Sequence, residues 1–261
     1  MRIERWGKAA PGTPLRESRA GHTRWAGMSP PTSSALRGAA TMAAYGAAHS
    51  ALASATVKRL AARVVGERAR DAFYRPFYLA QSVAATVWLG RALRRIPEHT
   101  LAVYPPPVHA VLRGAHVAAG AFGVWALVSA RIGRISGLDA VARAASGRRV
   151  RPTPPAHGPY GRGGQLHVEG PFRRTRHPLN VAFLPMLWSA RRLTTRRLGA
   201  ALVGTAYLFA GSVLEERRNR AAYGAAYDRY RRRVPFFWPR LRAADQAPMS
   251  ARGEQPGRAV R

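Results

Sequence analysis

Cysteine is missing from the 261 residues, lysine occurs only at Lys8 and Lys58, and acids are scarce, with Asp+Glu 12 against Lys+Arg 43. The lack of cysteine removes disulfide frameworks, thiolate zinc sites and cysteine nucleophiles together. The lack of acids leaves a formal net charge of +31, the kind that draws a protein to nucleic acid or an anionic membrane surface. That charge is almost wholly arginine and accompanies much Ala, Gly and Pro, a bias that a GC-rich coding sequence produces without any polyanionic partner. No nucleic-acid-binding module is recognisable, and no nucleic acid is expected as a partner. A secretory signal is absent too: Met1 to Pro31 is basic and rich in Pro, Gly and Ser, without a compact apolar core and small-residue cleavage site. The composition therefore predicts a basic disordered segment over residues 1–37, a folded domain over 38–240 and a disordered tail over 241–261.

What is present is a series of apolar segments. The first, Ala39 to Val57, is Ala-rich and closed by Lys58 and Arg59, and its small residues suit close helix packing in a bilayer. The second, Ala72 to Leu93, has Tyr74, Tyr78 and Trp88 near its ends and Arg91, Arg94 and Arg95 beside or beyond them, as at a membrane interface. The third runs from Val108 to Ala130 after Pro105-Pro106-Pro107, with Arg113 near enough to one end to snorkel. Leu179 to Ala190 and Leu198 to Leu214 form a helical hairpin whose tip is the polar connection Arg191 to Arg197. A soluble helical bundle is the rival, kept open by a mean hydropathy of -0.23. Segment lengths bounded by arginine clusters favour the membrane. The predicted fold is all-α, a multi-pass transmembrane bundle of about five spans with a C-terminal hairpin and an amphipathic tail helix.

With five spans, Lys58 to Asp71, the loop Arg131 to Arg176 and the tail after Glu215 share one side, and their arginines make that side cytoplasmic under the positive-inside tendency. The expected location is the bacterial inner membrane. The basic N-terminus, Arg91, Arg94 and Arg95, and the Arg191 to Arg197 tip run against the rule. For the N-terminus, a start at Met28 or Met42 would remove the conflict.

The chemistry-bearing run begins with Gly170-Pro171-Phe172-Arg173-Arg174-Thr175-Arg176-His177-Pro178-Leu179-Asn180 and continues through the hairpin to Leu214-Glu215-Glu216-Arg217-Arg218. Tyr223-Gly224, Tyr227, Tyr230 and Arg233-Val234-Pro235-Phe236 follow, up to Pro239. Pro178 pre-sets a helix start, so His177 stands at the mouth of a helix, and the hairpin returns Glu215 and Glu216 to the same face. Basic and acidic groups that converge in this way suit a zwitterionic cofactor whose amino acid portion offers a carboxylate and an ammonium and whose ribose hydroxyls seek carboxylate acceptors. S-adenosyl-L-methionine has these features and requires no metal. Taken singly, an Arg-His-Pro tripeptide is ordinarily a cap and a Glu pair among arginines ordinarily a solvated face; the ordered set is more specific.

The run from Gly170 to Pro239 resembles the integral-membrane methyltransferase superfamily of isoprenylcysteine carboxyl methyltransferases, phospholipid N-methyltransferases and methanethiol S-methyltransferases. The shared elements are the Gly-Pro-aromatic turn, Arg-His-Pro, a hairpin, Glu-Glu, a Gly- and Tyr-containing segment and a closing Val-Pro. Ala48-His49-Ser50-Ala51-Leu52-Ala53-Ser54 resembles, more loosely, the first helix of bacterial members near the methanethiol and NnrU-like groups. The resemblance implies a methyltransferase that uses S-adenosyl-L-methionine and acts on a small or lipophilic acceptor, a thiol, carboxylate or lipid amine. It implies that Arg176, His177 and Pro178 shape the cofactor pocket, that Glu215 and Glu216 contact the cofactor, that Arg217 meets the substrate, and that Tyr223, Tyr227 and Tyr230 lie on a covering helix. Asn180, where many members place a large residue, and the following Val181-Ala182 depart from the pattern and bear on the acceptor. The loop Pro152 to Gly164, with His157, reads as a lid or a linker. His49 and His116 lie within apolar helices and either line the substrate cavity or bond helix to helix. His109, His157 and His167 show no metal-site spacing. Two rivals remain: an NnrU-like protein with different or lost activity, and a structural membrane protein whose Arg-rich loops hold anionic lipid head groups.

Overall fold

The structure is a computed structural model and describes residues 29–130, 136–150, 166 and 168–241. The basic segment to residue 28, the tail from residue 242, the Pro152 to Gly164 loop and His167 lie outside the described residues.

Eight α-helices and one two-stranded ribbon make up the described chain. Helix α1 (Pro30–Ala53) starts on two prolines, whose fixed φ suits the first helical turn. It therefore begins eight residues before the boundary expected at residue 38. The apolar segment ending at Val57 is divided at Ser54, where the backbone is extended and the side chain accepts a 3.2 Å bond from Val57 N to cap α2 (Ala55–Val65). Helix α3 (Glu67–Arg94) extends the second segment at both ends. Helix α4 (Pro106–Ser129) opens on the proline break, and α5 (Leu138–Ala145) lies against α3. Helix α6 (Pro178–Trp188) and helix α7 (Thr195–Tyr223) form the expected hairpin, and α8 (Ala225–Arg233) follows at Gly224.

The all-α reading holds, and the polar hairpin tip carries a short ribbon in addition. Strands β1 (Thr100–Val103) and β2 (Arg192–Thr194) pair antiparallel, Thr100 opposite Thr194 and Val103 opposite Arg192, with an irregularity between Thr100 and Ala102. Bonds from Tyr104 N to Arg191 O and from Thr195 N to His99 O, both 3.0 Å, continue the pairing at each end. The connections on this face thus satisfy their backbone groups with each other.

Across the bundle the neighbours run α3, α1, α7, α6, α4. Helix α1 meets α7 along small residues: a Cβ on Gly38 would stand 2.1 Å from Arg196 O, and one on Gly199 would stand 2.0 Å from Ala35 O. Only glycine permits that approach. His49 Nε2 lies 2.7 Å from Tyr78 Oη between α1 and α3, and His116 Nδ1 lies 2.6 Å from Ser189 Oγ. Both histidines therefore join one segment of the bundle to another.

Helices α4 and α7 are long and apolar enough to cross a membrane. The count of five spans is not carried by the other helices. Helix α6 has 11 residues, about 16 Å at the α-helical rise against a hydrocarbon core of about 30 Å. Helix α3 begins with Glu67, Arg68, Arg70 and Asp71. Helix α4 leaves Val111, Val117, Val124, Trp125 and Val128 exposed, a surface that calls for an apolar environment.

Candidate functional site

The site forms at the end of the bundle opposite the ribbon. A 3-10 turn, Gly170–Arg173, leads into it with Pro171 and Phe172 buried. Gly170 has φ +53° and sits so close to the end of α4 that a Cβ would stand 2.1 Å from Ser129 Oγ. Both the left-handed backbone and the contact demand glycine. Thr175, fully buried, donates from Oγ1 to Phe237 O at 2.7 Å and accepts from His177 N at 3.3 Å. The turn before α6 is thereby tied to the chain after α8.

Glu216 is the centre of the arrangement. Its Oε1 accepts from Arg176 Nε at 2.9 Å and from the Tyr227 hydroxyl at 2.6 Å, and lies 3.2 Å from His177 Nε2. Its Oε2 meets Arg231 Nε at 2.9 Å. Arg176 also donates from one terminal nitrogen to Arg231 O at 2.9 Å and Val234 O at 2.8 Å, and its guanidinium lies 5.5 Å from the Phe236 ring centre. Three elements distant in sequence are clamped together: the turn before α6, the last third of α7, and α8. Asn219 Nδ2 reaches Tyr227 Oη at 3.5 Å, and Tyr230 donates to Phe172 O at 2.7 Å.

Glu215 stands apart. It is partly exposed, and its Oε2 faces His177 Nδ1 at 3.4 Å, an ion-pair distance without hydrogen-bond geometry. His177 is 3% exposed. Burial alone would lower its pKa, but Glu215 and then Glu216 outweigh that and hold it above the ordinary histidine value. Burial, and then the bond to Glu216, pushes the Tyr227 hydroxyl up, and burial does the same for Tyr230. Both hydroxyls remain donors through the alkaline range.

The expected residues divide by position. Arg176, His177, Glu215, Glu216 and Tyr227 come together. Pro178 and Tyr230 are fully buried beside them. Arg217 is exposed, and its side chain makes no hydrogen bond or ion pair among the described residues. Tyr223 is a correction: it is the last residue of α7, and the helix that closes the site carries Tyr227 and Tyr230. Sequence reasoning missed Asn219, Arg231 and Thr175. Ser212, Glu216 and Asn219 recur at helical spacing on one face, and Arg231 follows Tyr227 by four, so periodicity held a signal for two of them. Asn180 donates to Ser212 Oγ at 2.8 Å and joins α6 to α7.

Among the described residues, two buried groups here have no hydrogen-bond partner, Asn219 Oδ1 and His177 Nδ1, the second of which faces Glu215 at 3.4 Å. A carboxylate, a buried amide acceptor and an imidazole side by side are the kinds of group that an ammonium and ribose hydroxyls use.

No protein-family profile and no solved structure matches the chain. Curated relatives do. It is 43% identical over 70 residues to methanethiol S-methyltransferase 2 of Bradyrhizobium diazoefficiens, covering 27% of each chain. It is 33% identical over 81 residues to the methanethiol S-methyltransferase of Pseudomonas deceptionensis, covering 29% of this chain and 31% of the relative. It is 35% identical over 68 residues to methanethiol S-methyltransferase 1 of Bradyrhizobium diazoefficiens, covering 26% and 24%. The chain thus spans about a quarter to a third of the length of the curated relatives it matches. Relatives of one name support a membrane methyltransferase family of this kind.

Proposed function

We propose, from the likeness to a membrane methyltransferase family of the methanethiol S-methyltransferase kind, that the chain is a membrane-embedded methyltransferase that uses S-adenosyl-L-methionine. The observation that carries the reading is the contact of the Arg176-His177 turn with Glu215 and Glu216, 39 residues further along, in a buried cluster closed by Tyr227. The acceptor that the relatives' name favours is a small thiol.

The residues divide the work. Glu215, partly exposed and paired with no arginine among the described residues, is the carboxylate available to the cofactor's ammonium or ribose hydroxyls, with Asn219 Oδ1 as a second acceptor. Glu216 has both oxygens engaged by Arg176, His177, Tyr227 and Arg231 and acts by position, fixing His177 and through it Glu215. Arg217 is the cation left for the acceptor or for a carboxylate near it. When bound, the cofactor supplies a methyl group made electrophilic by the adjacent sulfonium charge. The protein has then to align the nucleophile and exclude water. Tyr230, Phe236 and Phe237 supply the apolar cover beside His177.

The test is binding of radiolabelled S-adenosyl-L-methionine to the detergent-purified chain, followed by incubation with methanethiol and detection of dimethyl sulfide. Saturable binding that is weakened in Glu215→Gln and in His177→Ala supports the site, and dimethyl sulfide supports the acceptor. A folded wild type that binds no cofactor overturns the reading.

A further inference from the structure

The face opposite the candidate site holds a cavity of about 580 Å³. Its walls are the start of α4 (His109, Arg113, His116, Val117), the end of α6 with the connection after it (Met186, Ser189, Ala190, Arg191, Arg192), the start of α7 (Arg196, Arg197), and Glu98. Arg196 and Glu216 are 20 residues apart on α7, about 30 Å at the α-helical rise. The cavity and the candidate site are therefore separated by roughly the thickness of a bilayer's apolar core.

The charge in the cavity is one-sided. Its single acid, Glu98, is already paired with Arg196, which also donates to Ile96 O at 2.7 Å. Arg113, Arg191, Arg192 and Arg197 have no side-chain partner among the described residues. His116 is held through Nδ1 by Ser189 at 2.6 Å, which leaves its Nε2 for a ligand. Helix α4 starts with prolines at its first two positions, so its terminus offers few N–H groups and recognition of an anion falls to these side chains. Four guanidiniums around one cavity are the donor set for a phosphate.

Depth decides which phosphate. Along α4 the lining runs His109, Arg113, His116 and then Val117, which is 65% exposed and about 16 Å into the helix. Met186, 46% exposed, faces the same space from α6. Cations at the mouth above an apolar floor match a head group above acyl chains; a free ion has no use for the floor. Arg191, Arg192 and Arg197 are also among the arginines that run against the positive-inside tendency. We infer that the ribbon-end cavity is a binding site for the phosphate of an anionic phospholipid, held by Arg113, Arg191, Arg192 and Arg197 with its acyl chains against Val117 and Met186.

The test is native mass spectrometry of the full chain, delipidated in dodecyl maltoside and titrated with dioleoyl phosphatidylglycerol, dioleoyl phosphatidylcholine or sodium phosphate. The wild type is expected to prefer phosphatidylglycerol over phosphatidylcholine. Arg113→Gln with Arg197→Gln is expected to weaken phosphatidylglycerol binding roughly twenty-five-fold, two arginines at about fivefold each, while the Arg→Lys pair retains most of the preference. Equal affinity of the wild type for the two lipids overturns the proposal, and this comparison needs no variant to fold. Undiminished phosphatidylglycerol binding by the folded double variant also overturns it. Displacement of the lipid by excess sodium phosphate assigns the site to the free ion and overturns the lipid assignment. Cofactor binding at the other face is a separate measurement, so either conclusion can fail alone.

Discussion

At the scale of single residues, the adjacent acids Glu215 and Glu216 have opposite duties. Glu216 pairs with both Arg176 and Arg231 in a site where its own side chain is 10% exposed. Removing its charge in Glu216→Gln leaves two guanidiniums facing an amide, a loss expected near 3 kcal/mol and visible as a lower melting temperature in detergent. Glu215→Gln removes the contact to His177, the first of the two influences that raise its pKa, and is expected to lower melting less than Glu216→Gln does while weakening cofactor binding roughly tenfold, the effect of one charged hydrogen bond. Equal melting of the two variants contradicts this division. His177 adds a pH dependence. Its pKa is raised in the fold, so its stabilising contribution is complete below the unfolded histidine value of about 6.5 and is lost as pH rises through the raised value. Melting temperature is expected to fall across that alkaline-side window in the wild type and to fall less in His177→Gln.

At the scale of elements, glycine contacts decide how α1 lies on α7. Gly199→Ala forces a Cβ to 2.0 Å from Ala35 O, and backbone cannot move aside cheaply, so a loss of about 2 kcal/mol or more is expected. Gly211 is on the same helix, and a methyl group added there would meet nothing within 4 Å; Gly211→Ala is expected to gain up to about 1 kcal/mol from helix propensity. Thermal unfolding of the two variants checks the contrast. The apolar segments that became α3, α4, α6 and α7 were legible because each is a long apolar run with a proline or charged boundary. The ribbon was not legible: Thr100–Val103 and Arg192–Thr194 are four and three residues long, too short for period-two patterning to emerge from polar loops. The division at Ser54 hung on one hydroxyl capping Val57 N. At the site, ordered motifs revealed which residues converge, but not that Glu216 would be saturated by Arg231 and Tyr227, because that depends on how α8 folds back after Gly224.

At the scale of the whole molecule, the two faces of the bundle are the claim most open to direct measurement. Helix α7 passes from the ribbon, beside Thr195, to the candidate site at Glu215 and Glu216 and ends at Tyr223. From Arg192 to Arg217 the chain crosses the full apolar length of α7, whose exposed Leu202, Phe209, Val213 and Leu214 require lipid or another apolar surface. The chain has no cysteine, so a single introduced thiol reports its own position without background. Arg192→Cys and Arg217→Cys replace exposed side chains and leave the buried clusters untouched. In sealed vesicles of one orientation, a membrane-impermeant maleimide is expected to label one variant at once and the other only after the vesicles are opened. Labelling of both from the same side would mean that α7 does not cross the bilayer, and the apolar exterior of α4 and α7 would then have to be covered by protein. Labelling from opposite sides places the candidate site at one surface and the arginine cavity at the other, and the side on which Arg217→Cys reacts identifies the compartment that the candidate site faces.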